Sequence, residues 1–469
     1  MAEPSQYDVV IIGSGPGGYV AAIRAGQLGL KTAVVEKDPR LGGACLHVGC
    51  IPTKALLFNA EVLDLFQSAK EYGITCQGFS LDWAAVQARK DRIVRKLSKG
   101  IEYLFKKNKV EWVGGRGSIV GPGSLKVEAP DGKSLRIEAK HIVLATGSEA
   151  KMLPGMEADA KTVLTNREVL SLKEIPKSML IVGAGAVGVE FASLFSRFGT
   201  KVTLVDMLPR IVPLEDEEIS QELAKSFKKQ GITVHTGARV SGVTRTGQGI
   251  EVRFSTSREQ EQKVEAEKLL VAVGRAPNTQ GVGLEHTGAK VEKGFIKTNH
   301  FMQTEEPGLY AIGDLVAGSP LLAHVAEAEG IVAVTHASGK AVEPINYRQI
   351  PNCTYCEPQV ASVGLSEKQA REEGRAVKVG KFPFAANSKA AILGRGEGFV
   401  KIVSEEHYGE ILGVHIIGPS ATEMIAEAVI AMRLEGTVLD LAHTVHAHPT
   451  LSESMLEAAH AVHKMTINF

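Results

Sequence analysis

The chain has 469 residues, 44% hydrophobic and 23% charged, with 53 basic residues balanced by 53 acidic ones. That length calls for several domains and that composition is ordinary for a globular protein. Zero net charge gives no sign of a basic nucleic-acid footprint or an anionic-membrane surface.

Five cysteines are too few for a disulfide scaffold. They point to a reducing compartment, read here as the cytoplasm, in which a close cysteine pair is catalytic or metal-binding. No leader is seen ahead of the first strand, and no apolar run approaches the roughly 18 residues of a membrane span. Glycine is abundant at 49 residues, as suits a backbone that must approach phosphates closely.

The first strand is predicted at Tyr7–Ile12, followed by Gly13-Ser14-Gly15-Pro16-Gly17-Gly18 and an alanine-rich helical pattern. A second strand, Ala33-Val34-Val35, ends in Glu36. The same series recurs: Met179–Val182, then Gly183-Ala184-Gly185-Ala186-Val187-Gly188, a helix, and Val202–Val205 ending in Asp206. A lone G-x-G-x-x-G is weak evidence. A strand before it, a helix after it and an acid at the end of the next strand make each copy a dinucleotide fingerprint. Two copies imply two dinucleotide sites.

Straight after the first copy comes Gly42-Gly43-Ala44-Cys45-Leu46-His47-Val48-Gly49-Cys50-Ile51-Pro52-Thr53-Lys54. Two thiols with four residues between them at a helix start suggest a reversible disulfide. Five helical steps rise about 7.5 Å, more than the roughly 7 Å that a disulfide's Cα atoms allow. A distorted turn is therefore predicted, with flexible Gly49 and the N–H-less Pro52 as the means.

Residues 54–108 read as helices, with apolar spacing at Leu56, Leu57, Ala60 and Leu63. Residues 110–145 read as short strands, ending in His141–Gly147. A similar strand ends at Gly274. Leu309–Asp314 follows, then an alanine-rich helix from about Leu321. From about Ile345 onward, strands at Gln359–Val363, Gly398–Val403 and Ile411–Ile417 alternate with helices. Cys353 and Cys356 form a C-x-x-C that could be a redox motif or half a zinc site. No second C-x-x-C exists, and both are read as incidental residues entering a strand. Cys76 is read as a core thiol. His443, His446 and His448 could be taken for a metal cluster, but no companion ligands follow a known spacing and no metal is expected.

Together the fingerprints, the Cys45–Lys54 segment, Ala311-Ile312-Gly313-Asp314 and His446-Ala447-His448-Pro449-Thr450-Leu451-Ser452-Glu453 resemble the pyridine nucleotide–disulfide oxidoreductases. The resemblance runs from Tyr7 to the C-terminus, and within the family it is to the branch that oxidises protein-bound dihydrolipoyl groups. The family commonly has Thr before the first Cys and Asn after Cys-Leu. Here Ala44 and His47 stand there.

The resemblance implies an α/β fold: two Rossmann-like dinucleotide-binding domains plus a C-terminal α+β dimerisation domain. Residues 1–148 would begin the FAD-binding domain, 149–274 bind NAD, 275–345 complete the FAD site, and 346–469 form the dimer interface. FAD, tightly but non-covalently bound, would lie on Gly13, Gly15 and Gly18, with Glu36 on the adenosine ribose. Gly147, Lys54, His324, Ala326 and, on the ribitol, Asp314 would line the rest. NAD would lie on Gly183, Gly185, Gly188 and Gly274, with Asp206 accepting from the 2′-hydroxyl and repelling a 2′-phosphate. Arg210, four residues on, could soften that preference.

Cys45 would be the interchange thiol and Cys50 the thiol against the flavin. Lys54 would pair with Glu190. His448, on a cis peptide before Pro449 and oriented by Glu453, would be the acid–base. His446 is close enough to be mistaken for it. In the family this His arrives from the other subunit, so a homodimer is implied. The partners would be lipoylated proteins of 2-oxo acid dehydrogenase complexes or of the glycine cleavage system, with neither nucleic acid nor membrane.

Sister enzymes are the first alternative. Glutathione reductase has a different run after His-Pro-Thr. Mercuric reductase has a C-terminal Cys pair, whereas this chain ends Met465-Thr466-Ile467-Asn468-Phe469. A non-catalytic flavin-bound docking component is the alternative of another class, and the intact thiol pair argues against it.

Overall fold

In the computed structural model, residues 5–75, 77–247, 249–256 and 261–469 are described; the reading of Cys76 as a core thiol falls outside them. The chain divides into two compact units. The first comprises Met1–Ala55, Ala84–Lys151 and Arg275–Ile345, and the second Leu56–Trp83, Met152–Gly274 and Asn346–Phe469.

The first unit is built on a seven-stranded sheet. Ser5–Ile12 is rich in β-branched residues, which favour an extended backbone. It lies between Thr32–Glu36 and Ser134–Leu144, parallel to both. Glu111–Gly114 extends one edge in parallel. Ser124–Glu128 and Arg116–Gly121 extend the other antiparallel, and Leu309–Ala311 adds to Ser134–Leu144 in parallel. Side chains alternate strictly across this sheet. Val9, Ile11, Val34 and Val143 join one apolar cluster. Val10, Ile12, Ala33, Val35, Ile142 and Leu144 join the other. A parallel sheet buried on both faces needs this continuous apolar run.

The helices Pro16–Gln27 and Ala323–Ala337 meet closely in this unit because glycine faces glycine. A Cβ on Gly330 would stand 2.6 Å from the Gly17 carbonyl oxygen, and one on Gly17 would stand 2.8 Å from the Ala326 oxygen. The second of these helices begins two residues later than the sequence suggests, at Ala323, because Leu321 takes a left-handed φ of 54°.

The second unit holds another parallel sheet, ordered Thr233–His235, Lys201–Val205, Ser178–Val182, Lys268–Val271 and Val163–Leu164. An antiparallel three-stranded sheet, Ala238–Thr246 with Gly249–Thr256 and Gln262–Ala266, packs its apolar residues into the same core. The C-terminal part is a five-stranded antiparallel sheet with Gln359–Gly364, Ile411–Gly418 and Phe399–Glu405 at its centre. The helices Ala421–Arg433, Val438–His443 and Glu453–Val462 contribute Met424, Ile425, Leu441, Met455 and Ala458 to its core. Among the described residues, no helix is long and apolar enough to cross a membrane.

One buried charge cluster ties this unit together. Lys401 is 2% exposed and contacts Asp216 at 3.0 Å, Glu218 at 2.8 Å and Glu367 at 2.9 Å. Burial alone would favour the neutral amine, but the hydrogen bonds it donates to Glu218, Glu367 and Asp216 hold it charged far above its ordinary range. Truncating one partner of such a group strands the others. Lys401→Met is expected to cost about 3–5 kcal/mol, read as a fall in the urea midpoint of unfolding; an unchanged midpoint would contradict this account.

Candidate active site

The two nucleotide turns are near copies in geometry. Gly13 has φ 106°, and a Cβ there would lie 2.3 Å from the Ala145 carbonyl oxygen. Gly183 has φ 105°, and a Cβ there would lie 2.3 Å from the Ala272 oxygen. The third glycine of each motif closes the helix onto the turn. A Cβ on Gly18 would be 2.0 Å from the Gly13 oxygen, and one on Gly188 would be 1.8 Å from the Gly183 oxygen. The middle glycines, Gly15 and Gly185, open onto space, with no atom of the described residues within 4 Å of the Cβ position.

Gly15 and Gly185 are also the N-caps of their helices, and neither helix start is capped by a side chain. Unclaimed amides and a positive dipole end at a bare glycine suit a pyrophosphate. Each turn is braced by the acid at the end of its second strand. Glu36 Oε2 accepts from the Ser14 amide at 2.8 Å and the Ser14 hydroxyl at 2.7 Å, and Oε1 accepts from the Asp38 amide at 2.9 Å. Asp206 Oδ2 accepts from the Ala184 amide at 2.5 Å and Oδ1 from the Leu208 amide at 2.7 Å. Arg210 is engaged by its own loop: Nη1 pairs with Glu217 at 2.7 Å and Nη2 donates to the Pro213 oxygen at 3.0 Å.

Gly147 (φ 67°) and Gly274 (φ 111°) both open onto space as well. Asp314 sits in the 3₁₀ turn Gly313–Leu315, where its Oδ2 accepts from Ser148 Oγ and lies 3.6 Å from Arg275 Nε. The Gly313 amide donates to the fully buried Glu329 at 2.5 Å. The helix Ala323–Ala337 starts without a side-chain cap, with His324 exposed in its first turn and Ala326 buried behind it. The open glycines, uncapped helix starts and Asp314 of the first unit make a cradle that fits FAD.

The thiol segment leans on the first turn. A Cβ on Gly43, with φ 61°, would lie 2.6 Å from the Gly15 Cα. The helix Gly43–Val48 then breaks at Gly49, with φ −142° and ψ −115°, and a new helix begins at Cys50. Both the Thr53 amide and its hydroxyl donate to the Gly49 oxygen, at 3.1 and 2.6 Å, which anchors the second start. Cys45 and Cys50 are half-buried thiols facing one another across this break. Hydrogen bonding to Cys50 pushes the Cys45 thiol strongly up, with burial and the Cys50 charge adding, while the Cys50 amide and Lys54 pull the other way.

Tyr19 and Glu327 were not legible as site residues. Tyr19 Oη donates to Glu327 Oε1 at 3.2 Å. Burial raises the Tyr19 hydroxyl, then Glu327, then the charges at Cys45 and Cys50, which puts this phenol within electrostatic reach of both thiols. The sole cue in the sequence is a tyrosine directly after a glycine pair.

In the second unit, Glu190 is buried and its Oε1 accepts from the Tyr355 amide at 2.9 Å. Tyr355 lies within the Cys353–Cys356 segment. Cys353 is in the strand Asn352–Thr354, and Cys356, fully buried, donates to the Pro358 oxygen at 3.2 Å. His448 Nδ1 lies 2.8 Å from Glu453 Oε1, and its side chain is 70% exposed. The His448–Pro449 bond is cis. Glu453 Oε2 also accepts from the Thr450 amide at 2.7 Å. Burial pulls the Glu453 carboxyl up, but the Thr450 amide, His448 and the His446 charge hold it below the usual range. A carboxylate on Nδ1 leaves Nε2 as the lone-pair nitrogen, aimed outward. His446 differs, since both of its nitrogens are engaged. Among the described residues, no three His, Cys, Asp or Glu side chains are grouped to hold a metal ion.

A family model described as pyridine nucleotide-disulphide oxidoreductase matches residues 7–330, and the dimerisation domain of that family matches 350–459. The chain is 47% identical to a dihydrolipoyl dehydrogenase of Bacillus subtilis, over 99% of this chain and 100% of that one. It is 44% identical to a mitochondrial dihydrolipoyl dehydrogenase of Pisum sativum, covering 98% and 92%. Among solved structures it is similar to LpdA of Mycobacterium tuberculosis, with a TM-score of 0.89 at 29% identity, covering 97% of this chain and 99% of that one.

Replacing Cys50 removes both its hydrogen bond to Cys45 and its charge. In reduced Cys50→Ala, the alkylation of Cys45 is expected to rise at a lower pH than in the parent. Rates of iodoacetamide labelling against pH measure this, and an unmoved profile would contradict the assignment.

Proposed function

The chain belongs to the pyridine nucleotide-disulphide oxidoreductases, and on that premise we propose that it is a dihydrolipoyl dehydrogenase, oxidising protein-bound dihydrolipoyl groups and reducing NAD+ to NADH. The observation that carries this reading is the helix broken at Gly49, which sets two thiols face to face beside a dinucleotide turn. Bound FAD would carry the electron pair between the thiols and the nicotinamide.

The protein's own part is thiol chemistry and proton handling. In the oxidised enzyme Cys45 and Cys50 are joined. His448 Nε2 takes a proton from one substrate thiol, and the resulting thiolate attacks Cys45. The Cys45–Cys50 bond breaks and Cys50 leaves as the thiolate, the role that the family resemblance gives it. The second substrate thiol then attacks the substrate sulfur of the mixed disulfide, which releases the cyclic disulfide product and returns Cys45 as a thiol. Glu453 keeps Nδ1 protonated throughout and stabilises the imidazolium. Lys54 pairs with Glu190 in this scheme, and its ammonium favours negative charge at Cys50 and at the reduced flavin. Glu36 and Asp314 would hold the ribose and ribitol of FAD, and Asp206 would hold the ribose of NAD.

The dimerisation domain supports a homodimer. In it, His448 of the partner subunit completes the site around Cys45. The lipoylated components of 2-oxo acid dehydrogenase complexes or of the glycine cleavage system supply the substrate arm. The few cysteines favour a reducing compartment, and we place the reaction in the cytoplasm.

The holoenzyme should form NADH from dihydrolipoamide and NAD+. Cys45→Ser or Cys50→Ser should abolish this, and His448→Gln should lower kcat by about 10²–10⁴-fold. A parent enzyme inactive with dihydrolipoamide, or serine variants that still turn over, would sink the reading. Asp206→Ala should raise the KM for NAD+ about tenfold through the lost charged hydrogen bond and narrow the preference over NADP+. An unchanged ratio would remove Asp206 from that role.

A further inference from the structure

The loop that presents His448 carries a second imidazole–carboxylate contact. His446 Nδ1 lies 2.8 Å from the Thr444 carbonyl oxygen, and Nε2 lies 2.7 Å from Glu427 Oε1. A carbonyl only accepts, so Nδ1 carries a hydrogen and Nε2 is the nitrogen that faces the Glu427 carboxyl. The side chain is 6% exposed, in a loop that is otherwise open to solvent, where Val445 is 95% exposed. Val445 and Ala447, on either side, have no polar side-chain group. Of these three residues, only His446 can tie the loop to a helix through a side-chain hydrogen bond.

Its anchor is firm. Glu427 projects from the helix Ala421–Arg433, whose Met424, Ile425 and Ala428 are buried in the core of the C-terminal sheet. The far end of the loop is held separately. Asn387 donates to the Thr450 oxygen at 3.0 Å, the Thr450 hydroxyl donates to the Ala447 oxygen at 2.7 Å, and Glu453 grips the Thr450 amide. His448 thus sits between two clamps, one on each neighbouring helix. Glu427 faces His446 directly, and the His446 charge also reaches Glu453, while Asp440 and His443 belong to the helix just before the loop.

We propose that His446 is a positioning residue: held between Thr444 and Glu427, it fixes the loop so that His448 Nε2 meets the substrate thiol in line. This deepens the reaction proposed above and rests on it. Glu453 sets the tautomer and the ring plane of His448, and the His446–Glu427 contact sets where that ring stands. A misplacement of about 1 Å in an acid–base group costs about 100-fold in rate, so an otherwise open loop needs a tether of this kind.

The test uses the holoenzyme with dihydrolipoamide and NAD+. His446→Ala and Glu427→Ala should each lose about 10- to 100-fold in kcat/KM for dihydrolipoamide. A Gln amide at 446 reaches the place of Nε2 and keeps the bond to Glu427, whereas an Asn amide reaches only the place of Nδ1. His446→Gln should therefore recover more activity than His446→Asn. Flavin reduction by NADH, which does not use His448, should stay at the parent rate in all four. In a His448→Gln background, His446→Ala should add no further loss, because its effect passes through His448.

Parent activity in His446→Ala and Glu427→Ala would overturn the proposal. So would an equal loss of flavin reduction, or a full further loss in the His448→Gln background. None of these outcomes touches the proposed reaction, which is tested separately by NADH formation in the parent and by its loss in Cys45→Ser and Cys50→Ser.

Discussion

An unbroken helix cannot bring side chains five positions apart into bonding reach, because they diverge around its axis as well as along it. This chain meets that constraint by ending one helix at Val48 and starting another at Cys50, with Gly49 between them in a conformation outside the helical region. The chemistry depends on this single discontinuity. It sets the two sulfurs against each other and leaves the second helix to carry Lys54 one turn further on. A β-carbon at Gly49 would meet the Ala44 oxygen at 3.0 Å and the Cys45 Cα at 3.2 Å, so the break is also tightly packed.

The break is placed by the nucleotide turn beside it. Gly43 meets Gly15 backbone to backbone, and Gly42 donates to the Ser14 oxygen at 3.1 Å. The same turn is braced from the other side by Glu36. Three glycines in each fingerprint have separate duties: a reversed φ, an open approach and a tight helix contact. In both copies the first and third would clash with backbone if they carried a β-carbon, and the middle one would not. Sterics enforce the first and third positions through the protein itself. The middle one is left clear for a ligand.

Charge is handled differently at the two chemical centres. At the thiols, the hydrogen bond to Cys50, burial and the Cys50 charge push the Cys45 thiol up. At the histidines, two carboxylates on different helices each hold one imidazole. The exposed ring, His448, keeps an outward nitrogen, and the enclosed ring, His446, has none to spare. Neighbouring rings of the same chemistry are thus divided between work and support.

Local patterns made much of this legible from the residues alone. The glycine spacings, the acids at 36 and 206 and the interrupted helix at Gly49 follow from chain-neighbour chemistry, whereas the His448–Glu453 dyad was read from the family resemblance. Each involves a turn, a strand end or a helix start, where a few residues determine the backbone. The strands from Ser5 to Leu144 were readable for the same reason, since alternation across a buried sheet is visible in the sequence. What required the tertiary structure were the partners distant in sequence: Tyr19 with Glu327, Glu190 with the Tyr355 amide, Lys401 with three carboxylates, and His446 with Glu427. The union of Arg275–Ile345 with the N-terminal segments was of this kind too. Such pairings are set by how helices and sheets pack, and packing depends on the volumes and burial of many residues at once, so no spacing along the chain announces them.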